Sequence, residues 1–511
     1  MRYELNSFFA PELRGTVSYP SLLDFLFDRN ARVSQFAGNG LVPARTYETG
    51  AFAQDDLRVN QDLTLNLGLR YEYVTTPFGF FSNAKSDLNN FSPAVGVAWN
   101  PKGFRGGRFV LRGGYRISYD QVFQNVLLNV ARNFPRAVTI ANTLTGAQPY
   151  NVLPPTPQPQ DFKGDPNMLP LRLYSPNKRI DQPLSQQFTV GVQYQLANDY
   201  VVKIDYIATK GSDLIREVEA NVGFAQPIGN GSRQDPKKGS ILVGDGIANS
   251  IYHAGQVTLE KRFGETRYGA FQYNVNYTYS SFISEADDIL GGQTNRTLPA
   301  DPRNPKLDRA RSGFDQPNRF VASYTYEMPK IQVGSGLIKP FVDRAINGWG
   351  LAGVTTLASG TPYSILNANN ALGVLSGQIQ PIEFSQRVTL NPNGVFPQFS
   401  VFDAQGQLTN PNARFIAFPA YSGVLGSLGA NTQRTGGANN TNMAVIKNVK
   451  TYGESQSLQI RWEVTNVFNH RNFTVIPLNT VGSSTNAFQF LNLGQTNVTG
   501  RSMLFTARYF F

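Results

Sequence analysis

Hydrophobic and polar residues alternate with a period of two in many segments of the chain. In residues 62–74 the odd positions are apolar from Leu63 to Tyr73, whereas the even positions include Arg70 and Glu72. Successive side chains of a β-strand point to opposite faces, so this pattern predicts a strand with one apolar and one polar face. The segment therefore favours a sheet that separates two different environments.

The same alternation recurs along the whole chain. It predicts strands over 108–119, 187–196, 200–208, 271–279, 320–326, 458–464 and 503–511. Strands of about ten residues, tilted near 45° and rising about 3.3 Å per residue, span about 23 Å, which matches the apolar band of an outer-membrane barrel. Aromatic pairs near strand ends, such as Tyr509 and Phe511, fit the interfacial girdles of these barrels. A soluble β protein is the alternative, but it rarely needs so many long two-faced strands.

The connections between the predicted strands are alternately short and long. Short turns are predicted at 101–107, 197–199, 264–266 and 452–456, and long polar stretches at 121–184, 211–250, 284–317 and 360–440. Short turns at one end and long loops at the other are typical of outer-membrane barrels. We therefore expect the long loops to be extracellular.

Composition and charge narrow the class further. The 511 residues contain no cysteine, which excludes disulfides, thiolate metal sites and a cysteine nucleophile. No apolar run reaches the length of about eighteen residues that a transmembrane helix needs. The net charge of +11 is dispersed along the chain, whereas nucleic-acid binders concentrate basic residues in patches. The first residues carry no signal peptide, so the protein is either cytoplasmic or its true start lies upstream, and we expect the second.

Residues that could perform catalysis are scarce. The two histidines, His253 and His470, are far apart and lack ligand spacing, so we expect each to lie in the lumen or in a loop. Residues 348–353 match G-x-G-x-x-G, but no helix start follows. Small residues in a strand that faces a crowded lumen explain this match better. We therefore expect neither an enzyme nor a cofactor.

Two charged segments leave alternatives open. Glu285, Asp287 and Asp288 could bind a cation weakly, although a solvated loop is the preferred interpretation. Residues 301–319 carry charges of both signs and predict an ion-paired loop that folds toward the barrel mouth. Substrate contact is the alternative there, because loops carry function.

Charged residues on the predicted polar faces form the first candidate site. We expect the following residues to face the lumen: Arg70, Glu72, Arg112, Arg116, Lys203, Asp205, Arg319, Arg461, Glu463 and Arg508. Ladders of paired charges that stabilise a wet lumen are the simpler interpretation. A basic lumen that attracts an anionic solute or an acidic plug is the functional alternative.

The last strand carries a second candidate signal. Met503, Phe505, Ala507, Tyr509 and Phe511 share one face, and the chain ends on an aromatic residue. This pattern resembles the terminal signal that the outer-membrane assembly machinery recognises, with Phe505, Tyr509 and Phe511 as the candidate residues. An ordinary hydrophobic final strand is the alternative.

Several motifs, in order, resemble TonB-dependent receptors and specifically their Oar-like branch. They lie at 54–59 with 63–72, at 91–93, at 111–115 with 119–120, at 301–304, at 315 with 318–321, at 349 with 359–362, and at 461–469. The resemblance implies an all-β, antiparallel up-and-down transmembrane barrel over residues 46–511, with partial barrel strands and a loop over 1–45. It also implies energised uptake of a bulky solute across a Gram-negative-type outer membrane of phospholipid and lipopolysaccharide, driven by TonB–ExbB–ExbD.

The resemblance also predicts that this barrel is incomplete. No plug or TonB box is recognisable in the sequence. We count about thirteen strands from residues 47–57 onward, with one or two weaker candidates before them, against about 22 in a plugged transporter. We therefore expect a barrel that lacks the plug and several N-terminal strands. A structural or surface barrel, or a passive pore without TonB-coupled transport, is the alternative function.

Overall fold

The computed structural model describes most of the chain. The described residues are 2–6, 16–38, 44–75, 86–122, 130, 133–143, 158–169, 171–174, 181–222, 233–287, 298–331, 339–367, 386–403, 405–419, 422–451, 456–472, 480–481 and 500–511. Among them, β-strands dominate. No helix of the described residues is long and apolar enough to span a membrane.

One large sheet contains sixteen strands, and fourteen of them pair in chain order. These fourteen are antiparallel to their neighbours. They are β1 (Arg2–Asn6), β2 (Ala44–Arg58), β3 (Leu63–Val74), β4 (Phe91–Trp99), β5 (Phe109–Tyr119), β6 (Leu184–Ala197), β7 (Tyr200–Glu219), β8 (Ile241–Thr266), β9 (Gly269–Ser284), β10 (Asn318–Glu327), β11 (Trp349–Ala358), β12 (Ala438–Lys450), β13 (Ser457–Thr465) and β14 (Ser502–Phe510).

The remaining elements are short and lie in the connections. Among the described residues, two complete α-helices are α1 (Leu22–Leu26) and α2 (Lys339–Ile346), and four 3₁₀ turns cover Arg105–Gly107, Pro159–Asp161, Pro166–Met168 and Pro305–Asp308. The additional strands are Thr16–Ser18, Arg32–Gly38, Ala137–Thr143, Leu171–Tyr174, Ala310–Arg311, Pro362–Tyr363, Leu366–Asn367, Thr389–Leu390, Phe396–Ser400, Ala413–Ile416, Gln433–Arg434 and Thr480–Val481.

Strand register gives the sheet one apolar and one polar face. Residues directly opposite each other in an antiparallel pair project to the same face. Leu67 pairs with Val95, Val95 with Tyr115, and Tyr115 with Phe188, so an apolar row crosses four strands. We call this the apolar face, and the side that carries Arg70 the polar face. Many of the large side chains on the apolar face are exposed to the surroundings, as a lipid-facing surface requires.

Short and long connections fall at opposite ends of the sheet, as the sequence predicts. Residues 100–108 join β4 to β5 and residues 198–199 join β6 to β7 at the short-turn end. The turn predicted at 264–266 lies at 267–268 instead, because a register shift between Lys261 and Gly264 lengthens β8. The turn predicted at 452–456 lies largely outside the described residues. One connection at this end, residues 328–348, is long and contains α2.

The loop predicted at 211–250 is wrong in its bounds. The strands β7 and β8 continue through most of it and leave only residues 220–240 as a connection. The register shifts on either side of Leu214, and Asp213 has a φ of 55°. This bulge breaks the period-two pattern, because an extra residue moves the following side chains to the other face.

The fourteen-stranded wall is not closed. Within the described residues β1 pairs only with β2, and β14 pairs only with β13. Thirteen long strands run from β2 to β14, which matches the predicted number, and the fold is the incomplete antiparallel barrel that the sequence predicts. The division into residues 1–45 and 46–511 stays a prediction.

The two faces of β3 predict opposite responses to a new charge. Leu69 lies on the apolar face between Ala53 and Pro93, whereas Asn66 lies on the polar face beside Asp56. Leu69→Arg places a charge in lipid and should lower the free energy of unfolding by about 2–4 kcal/mol near the midplane. Asn66→Arg should have little effect. Urea unfolding of the reconstituted protein measures both, and equal tolerance would contradict the assignment of the faces.

Candidate functional site

All ten charged residues expected in the lumen lie on the polar face. The pairing of residues between neighbouring strands places Arg70 on β3, Arg116 on β5 and Asp205 on β7 on the same face. It continues through Arg319 on β10 to Arg461 on β13 and ends with Arg508 on β14. The alternation of the sequence therefore assigns the faces of these strands. Their role in a solute pathway stays a prediction.

Several of these charges form ion pairs within the face. Arg70 contacts Glu72 on its own strand, with 2.7 Å between Arg70 Nε and Glu72 Oε1. Arg461 Nε lies 2.5 Å from Glu463 Oε1. Lys203 Nζ of β7 donates to Glu260 Oε2 of the neighbouring strand β8 at 2.9 Å. These ion pairs favour the interpretation that ladders of paired charges stabilise a wet lumen over the interpretation of a basic lumen.

A cavity of about 490 Å³ opens where small residues line the first half of the wall. Gly68, Ala94, Gly96 and Gly114 occupy neighbouring positions of the polar face there. Arg116 borders the cavity and donates to Gln187 Oε1 at 2.7 Å. Small residues leave room close to the backbone, so this part of the wall can accept another body or ordered water.

A second cavity, of about 390 Å³, lies against strands β9 to β13. Its lining includes Asn274, Ser323 and Asn442 together with the ion pair of Arg461 and Glu463. Amides, hydroxyls and paired charges line this cavity. This second cavity is therefore suited to polar contents.

The long-loop end carries an apolar core of its own. Ile365, Val388, Phe415, Ala417 and Leu428 are buried together there. Tyr363, Phe399 and Val401 pack against this cluster. The connection between β11 and β12 therefore folds into a packed layer, which we call the loop layer.

A buried ionic cluster ties the loop layer to the wall. Asp308 accepts hydrogen bonds from both Arg216 and Arg387, and its side chain and that of Arg216 are only 1% exposed. The backbone N–H of Ala300 also donates to Asp308 Oδ2, at 3.1 Å. Two guanidinium groups around one carboxylate are favourable here because the geometry supplies hydrogen bonds as well as charge.

The predicted ion-paired loop at 301–319 has further contacts of this kind. Asp315 accepts from Arg434, and Arg311 Nη1 lies 3.6 Å from Asp315 Oδ1. Burial alone would raise the pKa of Asp301, but hydrogen bonds from the side chain and backbone of Arg303 outweigh it and lower that pKa. The segment folds onto the wall as expected. Substrate contact at this segment stays a prediction.

The acidic segment that begins at Glu285 is not a solvated loop. Glu285 is buried, and its Oε2 accepts the backbone N–H of Asn249 at 2.9 Å. Asp287 Oδ2 accepts the backbone N–H of Gly313 at 2.9 Å. Asp287 Oδ2 also accepts the side-chain amide of Asn431 in the loop layer, whereas Glu285 contacts β8. Asp288 lies outside the described residues. No group of three metal-binding side chains occurs in the part of the chain that is described.

Two minor expectations need correction. His253 lies on the apolar face rather than in the lumen, since it pairs with Ala208, and Tyr206 Oη lies 2.6 Å from its Nδ1. Residues 348–353 do begin a strand, but Gly353 faces the apolar side. A Cβ there would lie 2.6 Å from the Tyr324 ring, so that ring covers the glycine.

The C-terminal strand presents Phe505 and Tyr509 on the apolar face, whereas Phe510 lies on the polar face. Phe505 stacks on Trp462 of β13, with ring centroids 5.7 Å apart and an interplanar angle of 2°. Tyr509 Oη donates to Gln456 Oε1 at 2.8 Å. Phe511 is almost fully exposed at the short-turn end. The three candidate residues thus follow the free edge of β14, but their recognition by the assembly machinery stays a prediction.

Sequence reasoning missed the partners of the loop carboxylates. Arg216 lies 92 residues from Asp308 along the chain, and Arg434 lies 119 residues from Asp315. Such separations leave no spacing signal. The density of charges in 301–319 indicated that partners exist, but only the fold identifies them.

Comparison with known proteins agrees with this architecture. Residues 1–79 and 79–503 match the family model described as an outer membrane beta barrel domain. The chain belongs to this family. It is therefore a protein of the outer membrane. No curated protein sequence matches the chain.

A solved outer-membrane structure shares the fold of this barrel domain. The outer membrane transporter YddB from Escherichia coli matches with a TM-score of 0.51 and 11% identity over 94% of this chain and 47% of that chain. The siderophore receptor PirA from Acinetobacter baumannii gives 0.45 and 11%, covering 100% and 54%. A mutant of the ferric enterobactin receptor PfeA from Pseudomonas aeruginosa gives 0.46 and 11%, covering 94% and 50%. The chain spans about half the length of each. The Oar-like branch stays a prediction.

Asp308→Asn tests the buried cluster. The substitution leaves Arg216 and Arg387 buried without their carboxylate, so opening of the connection between β9 and β10, which contains Asp308, should become easier by about 3–5 kcal/mol. Hydrogen exchange of residues 298–315 measures the opening. The control is Asp120→Asn, because Asp120 is exposed at the same end of the wall. Wild-type exchange in Asp308→Asn would contradict a stabilising role for the cluster.

Proposed function

We propose that this chain is the barrel part of a TonB-dependent transporter that takes up a bulky polar solute when joined to a plug. The observation that carries the proposal is the form of the polar face. Five of its ten candidate charges are paired within the wall, while glycine and alanine leave a cavity of about 490 Å³ open beside Arg116. A plug fits such a surface, since small wall residues allow close approach and Arg112 and Arg116 can pair with its acidic groups.

The resemblance of residues 54–72 and 461–469 to TonB-dependent receptors supports the same proposal. So does the likeness in fold to an outer membrane transporter of which the chain covers 47%. In this proposal further strands close the wall between β1 and β14, because an unpaired strand edge in lipid is untenable. TonB–ExbB–ExbD would act through the plug, and phospholipid and lipopolysaccharide would surround the wall.

The loop layer would perform the first capture of the solute. A packed layer loses less conformational entropy on binding than an unstructured loop does. Asp308 pairs with Arg216 of β7 and with Arg387 of the loop layer, and so holds this layer against β7. Asp315, which lies on the same connection as Asp308, pairs with Arg434 of the loop layer. The proposal includes no catalytic step, and the scarcity of histidine and the absence of cysteine are consistent with that.

The second candidate is a passive pore. It is favoured by the same open cavity and polar face, because a water-filled lumen needs no further body. The two candidates differ in their dependence on energy. A pore conducts small solutes at all times, whereas a plugged transporter conducts only when TonB is energised.

Uptake in cells distinguishes the two candidates. Cells that express the native gene should accumulate at least one of a set of fluorescent siderophore, oligosaccharide and peptide conjugates. We expect this accumulation to disappear when TonB is deleted or the proton-motive force is dissipated. Vancomycin, which is too large for narrow pores, should enter no faster than in cells without the gene. Entry that is equal with and without TonB would favour the passive pore and contradict the proposal.

The aromatic C-terminus should be required for assembly. The edge of β14 can pair with the assembly machinery, while Tyr509 and Phe511 contact the interface between lipid and water. Replacing both with Ser should abolish insertion into the outer membrane and leave synthesis unchanged. Replacing Thr506 and Arg508 of the polar face with Ser is the matched control. Normal amounts of heat-modifiable barrel after the aromatic replacement would exclude a signal at this tail.

A further inference from the structure

The short-turn end of the wall carries an unusual element, the helix α2. It lies in the connection 328–348, on the side where the other described connections are short. At 100° per residue, Phe341, Val342, Ala345 and Ile346 fall within an arc of about 140° on one side of the helix. Phe341 is 71% exposed, and Ile346 is exposed as well. Neither side chain contributes to a protein core.

Polar contacts fix the C-terminal end of α2 to the outside of the wall. Lys447 and Trp349 are paired residues of β12 and β11, and both lie on the apolar face. Lys447 Nζ donates to the carbonyl oxygens of Ala345 at 2.8 Å and Asn347 at 2.5 Å. Trp349 Nε1 also donates to the Ala345 carbonyl, at 2.9 Å. The free carbonyls that end a helix are thus satisfied by side chains from the lipid-facing surface.

The same contacts place this region at the edge of the membrane. The Lys447 ammonium lies 4.6 Å from the centre of the Trp349 ring and is itself buried. Tryptophan and lysine at the end of an apolar band are typical of the interface between lipid and water. Directly above this pair on the apolar face, Leu351 pairs with Val445, so the apolar band is continuous with the site where α2 is attached.

A second segment of the connection is held against α2. The side chain of Asn347 exchanges two hydrogen bonds with the backbone of Ile331, at 2.7 and 3.0 Å. Met328 and Ile331 are exposed, as Phe341 is. Arg344, on the polar side of the helix, donates to the Thr451 carbonyl at 3.3 Å. An exposed apolar surface with basic residues at its border is therefore fixed in place.

We propose that α2 is an interfacial element that lies among the phospholipid headgroups of the periplasmic leaflet and inserts Phe341 between the acyl chains. The occupant of the exposed surface is phospholipid, because the surface continues the lipid-facing side of β11 and β12 and is attached through residues of that side. Arg344 and Lys330 lie at the height of the lipid phosphates and favour an anionic leaflet. The element anchors the wall at a defined depth.

Spin labels at single cysteines test the depth of α2, and the chain contains no cysteine that would compete for the label. The full chain is reconstituted in vesicles of phosphatidylethanolamine and phosphatidylglycerol. Labels are placed at Phe341→Cys and, on the polar side of the same helix, at Asp343→Cys. Leu69→Cys is the lipid reference, and Gln405→Cys in the exposed loop is the water reference. Collision rates with oxygen and with a water-soluble nickel chelate are measured at each site.

We expect the ratio of oxygen to nickel collisions at Phe341→Cys to be well above that of Gln405→Cys and to approach that of Leu69→Cys. The ratio at Asp343→Cys should be close to the water reference. Nickel access at Phe341→Cys equal to that of Gln405→Cys would overturn the proposal, because the helix would then face the periplasm. An immobilised label that neither reagent reaches would also overturn it, since another protein surface would then cover the helix. Because neither result involves TonB or a solute, this test is independent of the proposed transport.

Discussion

Backbone hydrogen bonding in lipid is the constraint on which the rest of this structure depends. Hydrocarbon offers no partner for an N–H or C=O group, so every residue that crosses the membrane must find one in a neighbouring strand. The fourteen strands that pair in chain order meet this requirement, except at the outer edges of β1 and β14 within the described residues. The alternation of side chains then follows from geometry, because a paired strand must turn every second residue toward lipid.

The distribution of buried groups follows from the same constraint. A single sheet that faces lipid on one side and polar contents on the other has no packed interior of its own. The buried apolar cluster around Val388 and Phe415 accordingly lies in the loop layer. The carboxylates of Asp308 and Asp315 are buried at the same end, where they pair with arginines of distant segments. The wall is stabilised mainly by its ladders, and the loop layer by conventional packing and ion pairs.

The sequence predicted the strands in which side chains alternate between lipid and polar surroundings at every second residue, because this period is also that of a β-strand. The strands β3, β5 and β13 were identifiable because lipid contacts every second residue, and this also assigned Arg70, Arg116 and Arg461 to one face. Prediction failed where the side chains of a strand do not alternate between lipid and polar surroundings. The bulge at Asp213 changes the face in mid-strand, and the end of β7 is covered by loops, so Arg216 and Glu217 are both buried. The attachment of α2 through Lys447 has no local signal either, because its partners are about a hundred residues away.

The central claim is that one face of the wall contacts lipid and the other contacts water. Consecutive single-cysteine variants from Leu458 to Glu463 on β13 test it most directly, because this strand pairs on both sides and its faces are assigned by register. The variants are reconstituted in vesicles and treated with a membrane-impermeant maleimide. The account predicts that residues 459, 461 and 463 react and that residues 458, 460 and 462 do not. Uniform reactivity, or reactivity with a helical period, would contradict it.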